Sequence, residues 1–101
     1  MIAIADAVAE FLLSKKAGRR SPATLKWYKA MLKPFVESFS TYQIGHATMS
    51  NIAMWLINQR GSPMTLYDRD KALRGFWSWS VVAYEIKNPM ISIPTPVLPE
   101  A

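Results

Sequence analysis

Residues 21–40 read SPATLKWYKAMLKPFVESFS, and 41 positions later residues 62–73 read SPMTLYDRDKAL. Both stretches open on Ser-Pro-X-Thr-Leu. Serine is a strong helix N-cap, and proline is tolerated at the first helical position, where its missing N–H would be unsatisfied anyway. In the first stretch Leu25, Tyr28, Leu32, Phe35, Val36 and Phe39 recur at helical spacing, which predicts a helix to about Ser40. Pro34 lies inside it and is expected to kink it or to weaken one backbone bond. In the second, Leu66, Arg69, Leu73, Phe76, Trp77 and Ser80 share a stripe, which predicts a helix to Ala83 or Tyr84.

The rest of the chain falls around these two helices. Residues 3–16 read as a first helix, with Ile4, Val8, Phe11 and Leu12 on one face, Lys15 and Lys16 in the last turn and Gly18 as its stop. Thr48 or Ser50 caps a short third helix that turns Ile52, Trp55 and Leu56 inward and stops at Arg60-Gly61. Asn88-Pro89 makes a turn, and IPTPVLPE carries three prolines in six positions, so the tail reads as an extended linker. No strand-period alternation of useful length occurs. The expected fold is all-α: four helices over residues 1–88, followed by a Pro-rich linker over 89–101.

Composition removes several kinds of chemistry. The 101 residues are one domain's worth, half of them hydrophobic. There is no cysteine and a single histidine, His46, which excludes disulfide scaffolds, thiol catalysis and multi-histidine metal sites within this sequence. Asp68 and Asp70 stand two apart on a helix and face different ways, a poor carboxylate pair. No nucleophile triad or Gly-rich phosphate cradle is present. No apolar run reaches the ~18 residues of a membrane span, and MIAIADAVAEF carries acids without a basic n-region, unlike a signal peptide. The expectation is a small soluble intracellular domain that needs no cofactor or metal.

Charge suggests what such a domain meets. Twelve Lys+Arg against seven Asp+Glu leave +5. Seven of the twelve lie between Lys15 and Lys33, so the excess is concentrated and fits a polyanion. Lys26, Lys29 and Lys33 share one flank of the second helix and extend the run Lys15, Lys16, Arg19, Arg20. Trp27 falls nearly opposite the core stripe, either exposed beside these lysines or central to a second packing face. Each Ser-Pro helix start offers a hydroxyl, backbone N–H groups and a positive dipole end. On the last helix, small residues Thr65, Ala72 and Gly75 share a side with Trp79 and would admit another helix closely. Arg69, within the apolar stripe, reads equally as a buried structural arginine or one reaching from the rim.

In order, these pieces resemble a known family. SPATLKWYKAMLKPFVESF, then Ile44, then Ala47-Thr48 before Ile52 and Trp55-Leu56, then Ser62-Pro63-Met64-Thr65, then Leu73-Arg74-Gly75-Phe76-Trp77-Ser78-Trp79, then Ile86-Lys87-Asn88-Pro89-Met90 are similar to the N-terminal core-binding domain of tyrosine recombinases, the phage integrases. That domain typically reads S-x-x-T-x-x-x-Y in its second helix and L-R-x-F-[FW]-x-W in its last, closed by N-P and a proline-bearing linker. The likeness spans roughly residues 5–96. It implies a four-helix, SAM-like orthogonal bundle that clamps one side of duplex DNA, with the second and fourth helices crossing adjacent major grooves. Carried over, the DNA contacts would be Ser21, Thr24, Lys26 and Trp27 on one helix and Thr65 and Arg69 on the other. Lys29, Lys33, Lys71 and Arg74 are looser candidates, and Arg19 and Arg20 belong to the same basic run. The family's catalytic Arg, Lys, His/Trp and Tyr residues lie in a second domain beyond the linker. Tyr28, Tyr42, Tyr67 and Tyr84 are therefore not its nucleophile, and this piece alone should not cut DNA. The implied partners are double-stranded DNA, that catalytic domain and further recombinase copies on DNA, in a cytoplasmic, nucleoid-associated setting. The competing expectation is a helical protein-interaction domain that uses Trp27 and the Pro-rich tail.

Overall fold

Ser21 and Ser62 start the two long helices as their sequences predict. Each serine Oγ accepts the backbone N–H three residues on, from Thr24 and Thr65 respectively, at 3.2 Å. The computed structural model describes residues 2–98. Four helices make up the fold: α1 (Ile4–Ala17), α2 (Pro22–Ser38), α3 (Met49–Ile57) and α4 (Pro63–Tyr84). Among the described residues there is no strand, only an isolated antiparallel bridge between Ala3 and Gln43 that ties the start of the chain to the α2–α3 loop. None of the helices is long and apolar enough to cross a membrane.

Helix ends show where local signals decide. Thr48 rather than Ser50 caps α3, in a reciprocal capping box with Asn51. α3 stops at Ile57, short of the expected Arg60-Gly61, and two side-chain amides join the backbone N–H of Asn58 on its last carbonyls. Asn58 Nδ2 donates to Met54 O at 2.9 Å and Gln59 Nε2 to Trp55 O at 3.2 Å. Gly61, at φ 148°, then turns the chain into Ser62 in a conformation that other residues rarely adopt. Pro34 does not end α2: the helix runs through it to Ser38, at the expense of the N–H that the Ala30 carbonyl would accept.

The core is built on α4, against which α1 and α2 pack as an antiparallel hairpin. Phe11, Phe35, Phe76 and Trp77 are wholly buried. The Phe11 ring meets Phe76 at 5.7 Å and Tyr28 at 5.2 Å, while Phe35 meets Trp55 of α3 at 5.5 Å and Trp77 at 6.2 Å. The small side of α4 is used as expected: Tyr28 of α2 lies over Gly75, where a Cβ would stand 3.5 Å from the tyrosine oxygen. Trp79 packs edge-to-face on Phe11. At the end of α4 the Tyr84 hydroxyl donates to Glu10 of α1. Burial, reinforced by the Glu10 hydrogen bond and charge, pushes this hydroxyl above the usual tyrosine range.

Two features depart from the sequence reading. Asp70, read there only as half of a poor carboxylate pair, is 1% exposed. Its Oδ1 accepts from Arg74 Nε at 2.6 Å. The same guanidinium reaches across to the tail, with Nη2 donating to Ile93 O at 2.7 Å and Nη1 lying 3.5 Å from Met90 O. The packed domain therefore does not end at residue 88. Met90 is 1% exposed within the core, and Ile93 packs against it. Beyond Ile93, Pro94 to Val97 are exposed and carry no regular secondary structure, Leu98 is half-buried, and the last three residues of the expected linker lie outside the described region.

This clamp makes a test of the fold. Asp70→Ala strands a half-buried guanidinium and should lower stability by about 2 kcal/mol, the scale of a charged hydrogen bond, in urea denaturation. Amide exchange at Ile93, whose N–H bonds Met90 O at 3.0 Å, should speed up in the same variant.

Candidate nucleic-acid interface

The basic run crosses the α1–α2 connection, and its geometry is set by how α1 ends. Gly18 is the cap, as expected, but it sits at φ −77°. The left-handed residue is Arg19, at φ 59°. Arg19 N–H bonds Lys16 O at 3.0 Å and Arg20 N–H bonds Lys15 O at 3.1 Å, the double closure of a Schellman motif. Arginine thus occupies a position where glycine is the usual choice, and both arginines are exposed beside the N-terminus of α2.

That N-terminus offers less to an anion than the sequence suggests. Pro22 has no N–H, Thr24 N–H is spent on Ser21 Oγ, and Ser21 and Thr24 hydroxyls bond each other at 3.0 Å. The backbone N–H groups of Ser21 and Ala23 remain uncommitted there. The start of α4 repeats the pattern, with Ser62 and Thr65 hydroxyls at 2.9 Å. Neither end is an open cradle, although both keep the positive end of the dipole.

Side-chain cations divide into two groups. Lys26, Lys29 and Lys33 are exposed along α2 and face, with Lys16 of α1, the trough between the two helices. Among the described residues the one ion pair is Arg74–Asp70, so none of these four lysines is neutralised by a carboxylate. With Arg19 and Arg20 they form a six-cation surface on a single hairpin. Lys15 is turned the other way, its Nζ 5.3 Å from the Phe11 ring centre and 5.6 Å from that of Tyr28.

The α4 candidates do not extend this surface uniformly. Lys71 is exposed, and Thr65 is half-buried in the helix cap. Arg74 is committed to Asp70 and the tail carbonyls. Arg69 donates through Nη1 to Gln59 Oε1 at 2.9 Å and lines an apolar cavity of about 400 Å³ between α3, α4 and the tail. Of the two roles left open for Arg69, the structural one is the one its contacts fill. Trp27 is likewise not exposed. It is half-buried against the core, edge-to-face with Tyr28 at 5.0 Å, because α2 is covered from two sides and its buried arc is wider than one stripe. His46 is exposed in its loop. No group of three or more His, Cys, Asp or Glu that could hold a metal occurs among the described residues.

Comparison with known proteins adds no relative: no family model, no curated protein and no solved structure matches this chain. The functional reading rests on the surface itself.

The left-handed arginine can be tested apart from any partner. Arg19→Gly removes the strain of a Cβ at positive φ and should raise stability by about 0.5–1 kcal/mol, read as a higher urea midpoint. Arg20→Gly, at a residue without positive φ, should bring no gain.

Proposed function

We propose that this chain is a duplex-DNA-binding module, of the kind that tyrosine recombinases carry as a SAM-like core-binding domain ahead of their catalytic domain. The observation that carries the reading is the row Lys26, Lys29 and Lys33, unpaired and continuous with Lys16, Arg19 and Arg20. A row at i, i+3 and i+7 spans about 10 Å of helix at 1.5 Å per residue, a distance over which a nucleic-acid strand presents more than one phosphate. In this arrangement lysines and the dipole end of α2 set register on the backbone, and few side chains remain to read bases. Ser21 and Thr24 contribute through their hydroxyls, and Lys71 and Thr65 of α4 meet the flanking backbone.

The module binds and does not cut. Tyr84, bonded to Glu10 and pushed upward in pKa, is the opposite of an activated nucleophile. On this reading the tail leads to a catalytic domain of the same parent protein, which acts on cytoplasmic, nucleoid-associated DNA and assembles with further copies there.

The test is a titration of fluorescent duplex at several salt concentrations. Affinity should fall steeply with salt, as counterions are released in proportion to phosphate contacts. Lys26→Ala with Lys29→Ala should weaken binding to unrelated duplexes alike and reduce the log–log salt slope by about 2, since each lost phosphate contact is worth roughly 0.9. Lys87→Ala, on the segment after α4, should leave both unchanged. Salt-insensitive binding, or an unaltered slope in the double variant, would refute the proposal.

A further inference from the structure

A row of lysines is enough for phosphate, yet these lysines border something that DNA does not use. The trough between α1 and α2 has an apolar floor of Val8, Ala9, Leu12, Leu13, Leu25 and Val36. It consists of two adjoining depressions of about 480 and 370 Å³ that share Ala9, Leu12 and Lys29, and it runs from Ala5 to Lys16. At 1.5 Å per residue that is about 16 Å, three turns of helix. Leu13, at 66% exposure, is an open part of this floor. Lys16, Lys26, Lys29 and Lys33 line its edges, against one carboxylate, Glu37.

An apolar floor with a cationic rim is complementary to an apolar stripe with anionic flanks. A second copy of this chain would set four lysines against four, which like-charge repulsion opposes. We propose that the α1–α2 trough is a docking site for an acidic amphipathic helix of a partner protein. About three turns seat in it, with apolar anchors at i, i+3 or i+4 and i+7 on the floor and Asp or Glu on both flanks meeting the four lysines. Because the rim lysines are those assigned to DNA, the helix and the duplex exclude each other. That exclusion rests on the DNA-binding reading; the docking does not.

The experiment is a display selection of random fifteen-residue peptides against the whole chain, followed by affinity measurements on the enriched peptides and on duplex DNA. Enriched peptides should carry the apolar i, i+3/i+4, i+7 pattern with acidic flanks. Leu13→Ser removes floor without altering charge at an exposed position, so the fold should tolerate it. It should weaken these peptides about tenfold and leave duplex affinity unchanged, whereas Lys26→Ala with Lys29→Ala should weaken both ligands. Enriched peptides should also displace bound duplex. Enrichment without the acidic amphipathic pattern, or peptide affinity indifferent to Leu13→Ser, overturns the docking site. So does Leu13-dependent self-association, or Leu13-dependent binding to phosphatidylserine vesicles without peptide enrichment. Peptide binding with no duplex binding leaves the docking site standing and removes the DNA reading and the exclusion with it.

Discussion

The bundle depends on one run of aromatic contact through its middle. Phe11 of α1 and Phe35 of α2 both pack on Phe76 of α4, with ring centres 5.7 and 6.4 Å away. Phe35 also reaches Trp55, which binds α3 to the same centre and donates its indole N–H to Ser38 at 2.8 Å. Loss of one such ring costs about 3–5 kcal/mol, a large part of the 5–15 kcal/mol that holds a typical domain together. Everything on the surface inherits its position from this contact. With Phe11 and Phe35 committed inward, α1 and α2 can present only their outer edges to solvent, and those edges carry Leu13 and the lysines.

The same constraint sorts the charges. A net of +5 is a property of the sum, and the fold separates it into structural and free parts. Arg74 and Arg69 lie where α4 is covered by the tail and by the α3–α4 connection, and there a guanidinium serves as a multi-armed donor for carbonyls, an amide and Asp70. Lysine would span fewer of these acceptors. On the α1–α2 hairpin the cations have no such partners, and lysine, a compact hydrated charge on a long apolar stem, suits an edge where the stem covers leucine and the head stays in water.

How much of this was legible from sequence follows from the range of each interaction. The starts of α2, α3 and α4 were legible because Ser21, Thr48 and Ser62 act on backbone three residues away. So was the lysine row, since helical spacing alone places Lys26, Lys29 and Lys33 together. For Trp27 the spacing left two readings open, and the second packing face is the one its contacts fill, since α2 is covered from two sides. Asp70 and Arg74 stand at i, i+4, a spacing that the sequence carries, but the burial of that pair and the docking of Met90 and Ile93 were missed because they depend on how the segment after Asn88-Pro89 folds back onto α4. The trough lay between these cases: Leu12, Leu13 and Leu25 are plain in the sequence, but only the pairing of α1 with α2 makes them one floor.

The α1–α2 connection shows how tightly the hairpin and its charge are bound to each other. A turn between antiparallel helices this short needs one residue in the left-handed region, and glycine fills that role at least cost. Here Gly18 stands one place too early and the left-handed residue is Arg19. Exchanging them in thought relieves the strain but moves the cation one place back along the chain, away from the start of α2. Strain held at a surface turn, where no packing compels that side chain, is best accounted for by what the side chain does outside the fold. The connection therefore joins the fold to the proposed interface: the turn that closes the hairpin is also where the basic surface begins.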